Sequence, residues 1–320
     1  MGKELGIPYM GSKRKLSSKI VDYILSKNRD CKYVYDLFGG GGAISFEFLQ
    51  RKQIKKIVYN ELNTGICELL KKIQKYGVTK DFYKWVSREE FNAHKNDNNW
   101  YGGLLKTCWS FGNNQRDYLF ATDLEEDKRL LHEIVVNKCD TSRQLFKDKF
   151  DLFIDGFYLK NDDIQLRRLD VMQVVKAQIG RFDLQRLQQL EQLQRLQQLE
   201  QLQRLQQLEQ LEQLEQLEQL EISNKSAFDV IIKTPISETI LYLDPPYLNT
   251  AKYAEKMCYT ELMDYILKSP YKIYVSSYEF DLPCVFELNH RSSLSATNNA
   301  KKVVEKLFCN REENSYGSLF

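Results

Sequence analysis

The chain has 320 residues, 42% of them hydrophobic, which is enough for one large domain or two ordinary ones with a real core. Its net charge of +2 marks no partner by itself. Seven scattered cysteines with no CxxC pair, and three histidines without ligand spacing, argue against a structural zinc site. Such cysteines suit reduced thiols in a cytoplasmic setting. The start of the chain is polar and basic, so no signal peptide is expected, and no 18-residue apolar run exists to span a membrane.

In chain order, Pro8-Tyr9-Met10-Gly11-Ser12-Lys13-Arg14-Lys15-Leu16 leads a helix predicted from Ser12, as its cap, to about Leu25. Leu16, Ile20, Ile24 and Leu25 give it helical spacing. Alone, this is equally an exposed basic helix. Tyr33 to Phe38 is predicted as a strand, Gly39 to Gly42 as a turn, and Ala43 to Leu49 as a helix. Strand, glycine turn and helix form the first half of a nucleotide-binding βαβ unit. The run is not GxGxxG, so it does not demand a pyrophosphate. Ile54 to Asn60 is the second strand. Glu61 follows, where an acid commonly meets ribose hydroxyls or favours the N-terminal dipole of a helix over 62–75.

Residues 80–165 change character, with more Asn, Lys, Tyr and Trp and weaker periodicity. In Cys108-Trp109-Ser110-Phe111-Gly112-Asn113-Asn114-Gln115-Arg116 the amides and Arg suit base edges, and the aromatics suit stacking or wedging. This stretch is expected to be an inserted, mostly helical lobe. Residues 184–220 are low complexity, with leucine at every third position among Gln, Glu and Arg. They carry three Arg and six Glu, a net of −3, leaving a mildly basic remainder. A period of three drifts by about 60° per leucine on a straight helix, so this is no heptad coiled coil. A long, partly exposed helix is expected, able to self-associate and dispensable for chemistry. Residues 221–232 then read as a strand-like run ending in Phe228-Asp229-Val230-Ile231-Ile232. Strands are predicted again over Ile240–Leu243, Lys272–Ser277, around Val285-Phe286 and over Val303–Phe308, with a polar loop from Asn289 to Asn299.

Asp244-Pro245-Pro246-Tyr247 sits where the strand Ile240–Leu243 leaves the sheet, the end at which open α/β sheets bind ligands. The prolines have no N–H, so the loop offers only acceptors there, and Pro245 keeps Asp244 extended. A carboxylate, a carbonyl and the flat face of Tyr247 suit a planar ligand with an exocyclic amine, such as adenine or cytosine. Stacking on Tyr247 contributes about 1–3 kcal/mol. Taken alone, the tetrapeptide is also an ordinary strand-end turn.

Pro8 to Lys13, Asp36-Leu37-Phe38-Gly39-Gly40-Gly41, Asn60-Glu61 and Asp244 to Tyr247, in this order, resemble the motifs of Dam-like adenine-specific DNA methyltransferases of the phage type. The resemblance implies a Rossmann-like catalytic domain over 1–79 and 166–320, a target-recognition lobe over 80–165, and the repeat as an insertion. It implies S-adenosylmethionine as methyl donor, held by Tyr9, Lys13, Asp36, Phe38, Gly39, Gly41, Glu61 and Asp244, and double-stranded DNA as substrate. It places catalysis on Asp244, Pro245, Pro246 and Tyr247. Family members often carry an acid after the third strand for the cofactor's adenine. Here that place falls near Ser226, with Asp170 as rival. Methylation of RNA or of a cytosine amine, and an inactive scaffold, stay open at this stage.

Overall fold

Short runs rich in Val, Ile and Tyr form one sheet in this computed structural model, which describes residues 5–179, 219–246, 258–291 and 302–311. The strands are β1 (Tyr33–Asp36), β2 (Lys56–Asn60), β3 (Leu220–Ser223), β4 (Thr239–Leu243), β5 (Lys272–Ser277), β6 (Cys284–Arg291) and β7 (Lys302–Cys309). Their spatial order is β3-β2-β1-β4-β5-β7-β6. The first five are parallel, with Val34 opposite Ile57 on one side and Ile240 on the other. The last two are antiparallel. This is the Rossmann-like arrangement the motifs implied. The chain direction across the sheet reverses between β1 and β4, which makes that junction the topological switch where ligands bind.

β4 is buried at every position, as a central parallel strand covered on both faces must be. On one face Tyr35, Leu37, Leu241, Leu243, Ile273 and Val275 pack with Leu262 and Ile266 of a C-terminal helix (Tyr259–Lys268). Each such fully buried aliphatic stabilises the fold by roughly 1.5–3 kcal/mol. α1 (Ser17–Lys27) is tied to the sheet at its end, where the Asn28 amide donates to Ile24 O at 2.6 Å and to the Tyr274 hydroxyl at 2.8 Å. α2 (Ala43–Leu49) packs on β1 and β2, and α3 (Thr64–Tyr76) buries Leu69, Leu70 and Ile73.

Three expectations are corrected. Ser12 does not cap α1. The backbone turns twice first, with Ser12 N bonded to Tyr9 O and both Leu16 N and Ser17 N bonded to Lys13 O, so the helix starts at Ser17. The run Phe228–Ile232 is not a strand. Ala227–Asp229 is a 3-10 turn, and Ala227 and Val230 cap the core instead. A short apolar run satisfies either role, and of the stretch 221–232 only its start, in β3, is strand. The polar loop begins later than Asn289, because β6 continues to Arg291.

The molecule divides into two compact units, residues 1–75 with 214–320, and residues 76–213. Among the described residues the second unit is helical: α4 (Arg88–His94), α5 (Trp100–Cys108), α6 (Glu125–Asn137), α7 (Asp140–Phe150) and α8 (Ile164–Ile179), joined by 3-10 turns. Trp109 is fully buried, with its ring edge-on to Trp85 at 5.2 Å, while Trp85 stacks on Phe120 at 5.7 Å. Arg167 of α8 is also buried and donates to the carbonyls of Val135, Val136, Asn161 and Asp162, so α8 belongs to this unit. The unit therefore continues past residue 165. The expected repeat helix lies outside the described residues, except for Gln219 and Leu220, where Leu220 opens β3. No helix among the described residues is long and apolar enough to cross a membrane.

Candidate active site

The carboxyl ends of β1, β2 and β4 hold the chemistry-bearing residues. Asp244 follows β4 directly, and the backbone turns before α1 direct Lys13 inward to meet it. Lys13 Nζ lies 3.0 Å from both Asp244 carboxylate oxygens and 3.7 Å from Glu305 Oε1. The Lys13 side chain is 7% exposed and that of Asp244 22%, so the pair is shielded yet open on the aspartate side. Pro245 is buried and Pro246 half-buried, which leaves the turn little freedom.

The glycine loop is packed from three sides. Gly39 N donates to Asn60 O at 2.7 Å, Gly40 N to Glu61 Oε2 at 2.9 Å, and the Tyr59 hydroxyl to Gly40 O at 2.7 Å. A Cβ at Gly39 would lie 2.2 Å from the Tyr59 ring, so only glycine fits there. From the N-terminal segment, Ile7 N donates to Gly41 O at 2.9 Å. A Cβ at Gly41 would come within 2.9 Å of Tyr9 Cβ, and one at Gly40 within 3.3 Å of Tyr9 Cε1. Tyr9 is thus laid against the loop. Glu61 Oε1 also accepts from Asn63 N at 2.8 Å, so both its oxygens brace backbone.

Asp36, at the end of β1, is buried and accepts from Ser45 Oγ at 2.7 Å. Burial pushes its pKa up to about 7, against the pull of the Ser45 hydrogen bond and aided by the charges of Asp244 and Glu61. Burial likewise raises Glu61, opposed by the N–H groups it accepts. Asp244 is pushed up to about 6 by burial, with Lys13 holding it down and Glu305 pushing it up. For Lys13, burial favours the neutral amine, but the neighbouring carboxylates outweigh it and the net direction is up. Asp244 and Glu305 thus flank the Lys13 ammonium, and Asp36 lies close enough to feel the charges of both Asp244 and Glu61. Such a set fits a ligand that brings positive charge and N–H donors.

The structure brings together Tyr9, Lys13, Asp36, Gly39, Gly41, Glu61, Asp244 and Pro245. Phe38 is half-buried and packs against the edge of the core beside them. Tyr247 lies outside the described residues. Ser226 is half-buried just ahead of the 3-10 turn, with no acid in its place. Asp170 sits in the middle of α8, in the other unit and not after a strand. Sequence reasoning missed Glu305, Ser276 and Ser45. Glu305 had a signal: it is a charged residue in the row Glu305, Leu307, Cys309, otherwise apolar, on one face of β7. Ser45 lies one turn into a helix whose first turn faces the strand end, and nothing in its neighbours marks it.

A family model described as D12 class N6 adenine-specific DNA methyltransferase matches residues 9–278, from the Tyr9 segment through β5. No curated protein matches the chain. The match covers most of the sequence and runs through each element that supplies the site up to β5, so the chain belongs to the D12 class of N6 adenine-specific DNA methyltransferases.

Proposed function

We infer that the enzyme transfers a methyl group from S-adenosylmethionine to the exocyclic 6-amino group of an adenine flipped out of double-stranded DNA. The observation that carries this reading is the Asp244 carboxylate, fixed by Lys13 at the end of β4 beside a glycine loop wrapped by Tyr9. The donor set fits the cofactor, because carboxylates surplus to the Lys13 ammonium suit a ligand with a sulfonium and an amine. Tyr9, Lys13, Asp36, Phe38, Gly39, Gly41, Glu61 and Asp244 would hold it. When bound, S-adenosylmethionine supplies a methyl group activated by the sulfonium, so neither a metal nor a covalent enzyme intermediate is needed.

The residues have a definite task. An adenine amine is a poor nucleophile, because its lone pair is delocalised into the ring. Asp244 accepts one N–H and the Pro245 carbonyl the other, which localises the pair and stabilises the positive charge that develops on nitrogen. A new N–C bond forms as the S–C bond breaks, and the amine then loses one proton. Tyr247 stacks on the flipped base. Positioning for in-line attack supplies the remainder of the barrier reduction.

The 76–213 unit is the target-recognition lobe in this reading. Its most suggestive element is the loop from Ser110 to Tyr118, closed by a bridge between those two residues. Phe111 stands 63% exposed on it, and Asn114 Oδ1 accepts from Arg116 N and Asp117 N, both at 2.9 Å. A stiff loop with an exposed ring and amides suits a DNA groove. Radiolabelled methyl transfer to duplex DNA and to RNA, followed by nucleoside analysis, tests the reading. N6-methyladenine from duplex DNA is expected. Label in RNA or on cytosine would overturn it.

A further inference from the structure

Glu305 lies beyond residues 9–278, the stretch matched by the family model, yet it reaches the reaction centre. Ser276 of β5 is paired with Leu307 of β7, which sets Glu305 diagonal to Ser276 on the same face. Ser276 Oγ donates to Glu305 Oε1 at 2.8 Å, and that same oxygen is 3.7 Å from Lys13 Nζ. Glu305 is 2% exposed, in a row otherwise occupied by apolar side chains. A carboxylate there is costly unless it is paired and hydrogen-bonded, and here it is both. One ammonium therefore serves two carboxylates.

The charge count gives this a consequence. Lys13 and Asp244 alone are a neutral pair, which offers little field to a positive charge growing on a substrate amine. With Glu305 the cluster is net negative. Glu305 also attracts the Lys13 ammonium across 3.7 Å, so the Lys13 charge is not committed to Asp244 alone. We propose that Glu305 is a positioning residue for methyl transfer, sharing Lys13 with Asp244 so that the Asp244 carboxylate remains an effective acceptor for the substrate amine. This rests on the catalytic reading of Asp244 above. The charged or titratable groups that act on Asp244 are Lys13 ahead of α1, Asp36 on β1, Tyr242 on β4, Tyr278 after β5, and Glu305. Burial dominates the Asp244 ionisation; Lys13 favours the charged form and Glu305 opposes it.

The test is Glu305→Gln, whose amide oxygen still accepts from Ser276. The readouts are kcat, KM for duplex DNA and for S-adenosylmethionine, the pH–rate profile, and titration of carbon-13-labelled aspartates by NMR. The expected kcat loss is roughly tenfold or more, the scale of a weakened electrostatic contact, with both KM values little changed. The acid limb and the Asp244 titration should both move to lower pH by about half a unit or more, because a nearby like charge is gone. Glu305→Asp, which keeps the charge, should restore kcat and the limb. A Glu305→Gln enzyme with a lower melting temperature but an unmoved pH profile, or with unchanged kcat, overturns the proposal. If Glu305→Gln does not fold, Ser276→Ala should move the limb the same way by a smaller amount, and no movement overturns the proposal. Asp244→Asn is measured beside them. Turnover in that variant sinks the catalytic reading, whereas a dead Asp244→Asn with an unaltered Glu305→Gln profile sinks only the proposal made here.

Discussion

Asp244 is the residue on which chemistry and electrostatics meet. Its pKa is pushed up to about 6, chiefly by burial, so it is ionised and accepting above that pH and protonated below it. Methyl transfer should therefore fall as pH drops through about 6, measured as kcat on duplex DNA across the acid range; a flat profile down to pH 5 would contradict it. Lys13 keeps that limb from lying higher. Lys13→Met should raise it and cost on the order of 10²-fold in kcat, the scale of losing one preorganised contact. Asp36, pushed up by burial to about 7, is partly protonated at neutral pH. A bound cation favours its charged form, so binding of S-adenosylmethionine near pH 6.5 should release protons. Calorimetry in buffers of different ionisation enthalpy reads this directly, and a binding enthalpy independent of the buffer would contradict it.

At the scale of elements, the glycine loop and the α8 anchor carry the most specific demands. Gly39→Ala drives a methyl into the Tyr59 ring, which is held by its bond to Gly40 O. It should cost about 1–3 kcal/mol, as overpacking does, and loosen cofactor binding; thermal melts and calorimetry check both. Arg167→Ala leaves four carbonyls without their donor and should destabilise the lobe by about 2–4 kcal/mol. The strand–glycine–helix unit was legible because its pieces have local marks: an aromatic and aliphatic run over 33–38, four glycines, and a mostly apolar stretch after them. The placement of Asp244-Pro245-Pro246 at the end of a buried strand was legible because an apolar run stops at the prolines. The start of α1 was not, since Ser12 looks like a cap until the turns at Tyr9 and Lys13 are seen. For β3 the start was legible but not the end, because the apolar residues after it satisfy a core cap as well as a strand. Glu305 stayed hidden because its partners come from three distant segments that only the sheet order brings together.

For the whole molecule, the reversal of strand order between β1 and β4 is what builds the site. That switch places the glycine loop and Asp244-Pro245-Pro246 side by side, although they lie some 200 residues apart in sequence. In chain order the 76–213 unit interrupts the unit formed by residues 1–75 and 214–320, and each has its own buried residues. Deleting residues 184–216 of the leucine repeat should spare methyl transfer, checked by specific activity and circular dichroism of the deleted protein; loss of folding would show that the repeat is structural. The most direct measurement compares the wild-type enzyme with Asp244→Ala on duplex DNA, using radiolabelled S-adenosylmethionine and nucleoside analysis. The prediction is label in N6-methyladenine for the wild type and none for the variant, with cofactor binding partly retained. Near-normal turnover by Asp244→Ala, or label in any other nucleoside, would contradict it.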